Sequence, residues 1–210
     1  MRETTRMIKN ILFDFDGVII DSMPVREYGF RKIFEEFDSD LVDKLIEYHE
    51  LNGGLSRFVK IRYFYEELLD QEIDEALILE YANNFSVIMK DELTNKKYLI
   101  KQTVEFITQH TQEYNLHIVS GSEQKELRYL CEELGLSQYF DSIHGSPTPK
   151  NTLVKDLLAK HNYTIQETIL IGDSINDYEA AVINNIDFYG YNNEELIEQS
   201  VVYLKDYKNL

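Results

Sequence analysis

Hydrophobic positions fall into two rhythms along the chain. Short unbroken apolar runs, each stopping at a small or polar residue, recur at Asn10-Ile11-Leu12-Phe13-Asp14, Leu116-His117-Ile118-Val119-Ser120 and Thr168-Ile169-Leu170-Ile171-Gly172. Runs of this length, without alternation, predict strands buried on both faces of a parallel sheet. Between the first two runs the spacing becomes helical. Phe30, Ile33, Phe34 and Phe37 share one helix face, as do Phe58, Ile61, Tyr65 and Leu68, and then Leu77, Tyr81, Phe85 and Ile88. With a shorter helix near residues 41–48, four helices are predicted between residues 23 and 91. Aromatics at helical spacing are core formers first, so Tyr63-Phe64-Tyr65 is expected in the interior.

Strands alternating with helices predict an α/β fold, a Rossmann-like parallel-sheet core with helices on both faces and ligands beyond the carboxyl ends of the strands. The helical block is an insertion after the first strand. The expected division is a catalytic core at residues 1–17 and 96–210 and an inserted α-helical cap at residues 18–95. Pro24, Pro147 and Pro149 suit helix starts or loops.

Composition narrows the partners. The 210 residues are 43% hydrophobic and 28% charged, the balance of an ordinary globular protein. Cys131 is the single cysteine and the start has no secretory pattern, so a cytoplasmic location is expected. The apolar runs are too short to span a bilayer, and no membrane role is expected. A net charge of −17 repels nucleic acid, which excludes it as a partner. A small phosphorylated metabolite remains, provided that a divalent cation and local Lys or Arg residues set the potential in the site. No protein partner is implied, and oligomeric state is left open.

The chemistry gathers where the strands stop. Asp14-Phe15-Asp16-Gly17-Val18 sets two carboxylates at a strand end, with a glycine to turn the backbone. Two neighbouring carboxylates divide labour when their environments differ, one ionised as nucleophile and one carrying a proton. Gly172-Asp173-Ser174-Ile175-Asn176-Asp177 follows another apolar run. Its acids suit a hard cation such as magnesium, while Asp177 also suits the first turn of a helix. Ser120-Gly121-Ser122 is expected to open a helix with a hydroxyl and backbone N–H groups turned to an anion, or simply to cap it. Lys150 follows a proline-rich loop, Ser146-Pro147-Thr148-Pro149, and gains meaning only from that company.

In this order the four elements resemble the motifs of the haloacid dehalogenase superfamily, and the resemblance covers nearly the whole chain. The insertion resembles the cap of the branch that includes phosphoglycolate phosphatase and β-phosphoglucomutase. The resemblance implies a phosphoric monoester hydrolase with Asp14 as nucleophile, forming an aspartyl-phosphate, and Asp16 as acid and base. It implies Mg2+ held by Asp14, Asp16 through its backbone carbonyl, Asp173 and Asp177. Ser120, the Gly121 N–H and Lys150 would hold the phosphoryl oxygens. Within the cap, Asn52-Gly53-Gly54-Leu55-Ser56-Arg57 resembles the loop that selects substrates, which nominates Gly54 and Arg57 for binding; ion pairing with Glu66, Glu67 and other surface acids is the equal alternative for Arg57.

Asp16 separates branches. The dehalogenases of the superfamily lack this second acid and phosphonoacetaldehyde hydrolases carry a small residue there, whereas a phosphate ester needs its leaving oxygen protonated. The expected substrate is a small sugar, polyol or amino-alcohol phosphate, with surface-polysaccharide precursors among the candidates. A phosphomutase, or a catalytically silent protein that binds a phosphorylated ligand, stands as the alternative. Lys60 and Arg62 are expected to be solvated charges paired with surface acids such as Glu66 and Glu67. Where relatives have a Pro-Gly turn, this chain has Tyr98-Leu99-Ile100-Lys101-Gln102, a departure at the entry to the hinge.

Overall fold

The computed structural model describes residues 7–208 and residue 210. Six parallel strands form one sheet in the order β3-β2-β1-β4-β5-β6. They are β1 (Asn10–Phe13), β2 (Asn115–Glu123), β3 (Ser142–Ser146), β4 (Thr168–Gly172), β5 (Asp187–Tyr191) and β6 (Val202–Leu204). β1 is wholly buried because both neighbours pair with it, Ile11 facing Leu116 of β2 and Ile169 of β4. Strand order reverses beside β1, which opens a crevice at the carboxyl ends of β1 and β4.

Helices cover both faces. Leu12, Val119 and Leu170 pack beneath Leu153, Val154 and Ala181 of α7 (Lys150–His161) and α8 (Ile175–Ile183). On the other face lie α5 (Lys101–His110) and α6 (Gln124–Glu133), with Phe13 against Phe106. Between β1 and α5 stand the four helices of the cap, α1 (Met23–Ile33), α2 (Ser39–Leu51), α3 (Arg57–Tyr63) and α4 (Glu75–Glu92). Their aromatic interior, with Phe34 stacked on Phe64 and Phe30 against Phe85, is continuous with the core on this face of the sheet. Phe64 and Tyr65 are buried, as the helical spacing predicts.

Three local features depart from the sequence reading. β2 continues through Ser120-Gly121-Ser122 to Glu123, and Glu123, not Ser122, caps α6 by accepting from the Glu126 N–H. The extra strand residues pair across a register shift with β3, whose Ser146 faces Glu123. α2 has 13 residues; it starts at Ser39, where Asp38 caps it by accepting from the Asp40 N–H, and continues to Leu51, a few residues past the expected 41–48 at each end. α1 ends before Phe37, which packs from outside the helix at right angles on Phe64.

Two antiparallel segments carry the chain into and out of the cap. Ile100 N–H donates to Ile19 O at 2.9 Å and Asp21 N–H to Tyr98 O at 2.8 Å. The departure at Tyr98-Leu99-Ile100 is thus part of a short two-stranded hinge. Among the described residues no helix is long and apolar enough to cross a membrane.

Candidate active site

Asp14 follows β1 directly, and its buried side chain meets the ammonium of Lys150 at 2.9 Å. Lys150 is the first residue of α7, is buried, and also bonds Asp177. Asp177 sits in the first turn of α8 and accepts the Ser174 hydroxyl at 2.6 Å and the Ser174 N–H at 3.1 Å. Helix capping and the acidic cluster therefore share one residue. Asp14, Asp173 and Asp177 bring carboxylate oxygens within 4.8 Å of one another. Gly17 makes this approach available, because a β-carbon there would collide with the Asp173 carboxylate and its φ is +74°.

The electrostatics of this corner are those of an acid excess. Burial, followed by the nearby Asp177, raises the Asp14 carboxyl to about 7. Burial and the Asp14 charge raise Asp173 well above its ordinary range. Burial by itself would lower Lys150, but Asp14 and Asp177 outweigh it and raise the ammonium. Three carboxylates around one lysine leave uncompensated negative charge in a desolvated pocket, and an oxygen-only donor set of this kind fits a hard divalent cation.

Asp16 has a different environment. Its Oδ1 accepts from the Ser22 hydroxyl and from Arg26 Nε at 2.5 Å, and its Oδ2 accepts from the Ser122 hydroxyl at 2.5 Å. Burial alone would raise this carboxyl; Arg26, then Ser122 and Ser22, reverse the effect and hold it below the usual range. The two carboxylates of the first motif are thus pushed in opposite directions.

Ser120 is buried, accepts the Ser122 N–H at 3.1 Å, and shares one cavity wall with Gly121, Asp14 and Asp16. The opposite wall is the cap loop. Gly54 O lies so close to Gly121 that a β-carbon on that glycine would clash, which seats the cap directly on β2. The enclosed space amounts to about 20 Å³, room for about one water. A second cavity of about 250 Å³ begins beyond Gly54 and Gly121, walled by Leu55, Val59, Pro147 and Ile183.

Arg57 lines the first cavity, yet its donors go to the protein. Both guanidinium ends reach Glu126 of α6 at 2.6 Å, one also reaches Ser86 at 2.7 Å, and Phe85 lies beneath the plane at 4.5 Å. Arg26 joins the same network, bonding Ser122 at 2.7 Å and Glu126 at 3.3 Å besides Asp16. Arg62 is exposed and pairs with Glu66 at 2.9 Å, the surface role expected of it. Lys60 is not such a charge. It is 2% exposed and bonds His49 Nδ1 at 2.8 Å, because α3 turns it inward toward α2.

Sequence reasoning passed over Ser22, Arg26, His49 and Glu126, and gave Ser122 a capping role and Lys60 a surface one that the structure does not give them. One signal was available for Arg26 and Glu126, since each falls on the apolar face of its helix, where an unpaired charge is costly.

Residues 11–191 match the model of the haloacid dehalogenase-like hydrolase family, and the chain belongs to that family. Among curated proteins it is similar to a phosphoglycolate phosphatase of Colwellia psychrerythraea, 24% identical over 90% of this chain and 88% of that one. Among solved structures it resembles CbbY from Rhodobacter sphaeroides in complex with phosphate, with a TM-score of 0.77, 17% identity, and 97% and 96% of the two chains covered. It also resembles β-phosphoglucomutase from Clostridium difficile, with a TM-score of 0.74, 18% identity, and 95% and 92% covered. The fold class expected from the sequence, parallel-sheet core and helical cap together, is that of these structures.

Proposed function

We propose that the protein is a magnesium-dependent phosphatase acting on the phosphate monoester of a small metabolite. One observation carries this reading: Asp14, Lys150 and two further carboxylates converge at the ends of β1 and β4, beside the cavity shared by Ser120 and Gly121. Curated relatives named phosphoglycolate phosphatase support the activity class.

In this mechanism Asp14 attacks phosphorus and carries the phosphoryl group as an aspartyl-phosphate until water releases it. Asp14, Asp173, Asp177 and the Asp16 carbonyl would hold Mg2+, which supplies positive charge to the phosphoryl oxygens and keeps Asp14 ionised. Lys150, the Ser120 hydroxyl and the Gly121 N–H hold the remaining oxygens as charge develops on them. Asp16 gives a proton to the leaving oxygen and later takes one from water. To do so it must leave the bond with Arg26, since that bond keeps it ionised.

The cavity is too small for any phosphorylated metabolite, so substrate enters when the cap lifts on its two-stranded hinge. An amino-alcohol leaving group is disfavoured, because its ammonium would face Arg26, Arg57 and Lys60. The two-carboxylate chemistry also serves a phosphomutase. Hydrolysis is favoured by the names of the curated relatives at similar identity.

The direct test is release of phosphate from p-nitrophenyl phosphate with and without Mg2+, followed by a panel of phosphorylated metabolites. Turnover that needs the metal and yields free phosphate from panel members supports the reading. Transfer of phosphate within a sugar phosphate without net release would replace it with the mutase.

A further inference from the structure

The charges that face the cavity from the cap do not balance. Arg57 is matched by Glu126 and Arg26 by Asp16, each at 2.6 Å or less. Lys60 is the third cation on this wall, and among the described residues it has no carboxylate within 4 Å. Its partners are neutral: His49 Nδ1 at 2.8 Å and the Gly53 carbonyl at 3.3 Å.

The neighbouring histidine sharpens the imbalance. Burial and the Lys60 charge hold His49 down to about 2, so the ring is neutral. When Lys60 carries its proton the ammonium can only donate, so Nδ1 accepts and the ring proton sits on Nε2. Nε2 is buried and, among the described residues, has no partner. Lys60 and His49 both line the cavity that contains Asp14 and Asp16, and both are almost wholly buried. An ammonium with a spare N–H and an N–H donor with no acceptor stand together on one wall. Buried donors are costly unless an acceptor arrives, and a desolvated cation calls for an anion.

We propose that Lys60, oriented by His49, is the receptor for an anionic oxygen group, a carboxylate or a second phosphate, carried on the leaving portion of the substrate. This rests on the phosphatase reading and deepens it. The cap selects substrates by charge through Lys60, while Arg57 and Arg26 organise the wall around it. Burial and the adjacent Arg26 pull the Lys60 ammonium down to about 7, and an arriving anion would restore its proton.

The test uses matched pairs that differ only in the distal group. Phosphoglycolate is compared with hydroxyethyl phosphate for the carboxylate, and propanediol bisphosphate with hydroxypropyl phosphate for the second phosphate. The wild-type protein is expected to favour the anionic member of at least one pair by roughly 10- to 150-fold in kcat/KM, the range of one charge-assisted hydrogen bond. Lys60→Met is expected to bring that ratio to within a few-fold, and Lys60→Arg to keep part of it. The pair that responds identifies the anion.

Equal wild-type rates for both members of both pairs, in a protein that hydrolyses them, would overturn the proposal and leave the phosphatase reading intact. So would Lys60→Met lowering both members in parallel, the mark of a cap strut. If Lys60→Met does not fold, the same ratio is read in His49→Phe, expected to lose several-fold of it, and an unchanged ratio would count against the receptor. A protein inert toward every phosphate ester would refute the phosphatase reading itself.

Discussion

Arg57 of the cap and Glu126 of the core form a two-pronged ion pair, 2.6 Å at each contact, with both side chains withdrawn from water. Burial would raise the Glu126 carboxyl, but Arg57 more than offsets this and holds it ionised. The pair fastens the closed cap to α6. Glu126→Ala leaves a buried guanidinium without its partner and is expected to destabilise the protein by about 3–5 kcal/mol in denaturant unfolding. A double Arg57→Met, Glu126→Met variant should recover most of that loss. A Glu126→Ala loss below about 1 kcal/mol would show the pair to be solvated rather than buried.

Arg26 governs Asp16 in a similar way. Removing it in Arg26→Met lets burial dominate and raises the Asp16 carboxyl, so the limb of the pH–rate profile that reports Asp16 is expected to move to higher pH. Asp16→Asn is expected to slow alkyl phosphates far more than p-nitrophenyl phosphate, whose leaving group needs little protonation. Equal losses for the two substrate types would remove the acid role from Asp16.

Asp14→Asn is expected to reduce turnover at least about 10³-fold, as loss of a nucleophile does. Its effect on stability has the opposite sign. The folded-state carboxyl is raised to about 7 from an ordinary 3.8, so the folded state holds a proton that the unfolded chain releases between those values. Stability therefore falls as pH rises through this window, and the penalty is full above it. In metal-free protein at pH 8, Asp14→Asn should melt at a higher temperature than wild type, and added Mg2+ should narrow the gap. A lower melting temperature for the variant would contradict the acid excess.

His117 adds a proton linkage far from the site. Its ring bonds the Ser142 hydroxyl at 2.7 Å and the Tyr163 hydroxyl at 2.9 Å. Burial, followed by the neighbouring His161, lowers it to about 3. Below an ordinary value of 6.5 the unfolded chain takes up a proton that the folded state refuses, so stability is lost as pH falls. Between pH 6.5 and 5, wild type should lose roughly 1 kcal/mol per pH unit more than His117→Gln, because the unfolded histidine is only half protonated at the start of that window. Parallel slopes in denaturant titrations would refute the linkage.

The strand-end carboxylates were legible because an unbroken apolar run fixes where a buried strand stops, and Asp14 and Asp173 stand at two such stops. β3, β5 and β6 were not, because Ser142-Ile143-His144-Gly145-Ser146 and its counterparts near the sheet edges are short and mixed in polarity. The cap wall was hidden for another reason. Arg26 finds Glu126 and Arg57 finds the same acid only after the chain has folded across the insertion, and no local spacing encodes that meeting. Lys60 looked like a solvated charge because Arg62 and Glu66, on the same stretch, are solvated charges; the burial of one and not the other depends on which side faces α2.

The covalent step on Asp14 is the point on which the account turns. Enzyme mixed with a hydrolysed substrate and Mg2+ is quenched in acid within one turnover, reduced with borohydride and mapped by mass spectrometry. An aspartyl-phosphate is converted to homoserine, and homoserine is expected at position 14 alone, absent without metal or substrate. Phosphate found on a serine such as Ser120, or full turnover with no trapped intermediate under conditions that trap one in a related phosphatase, would contradict it.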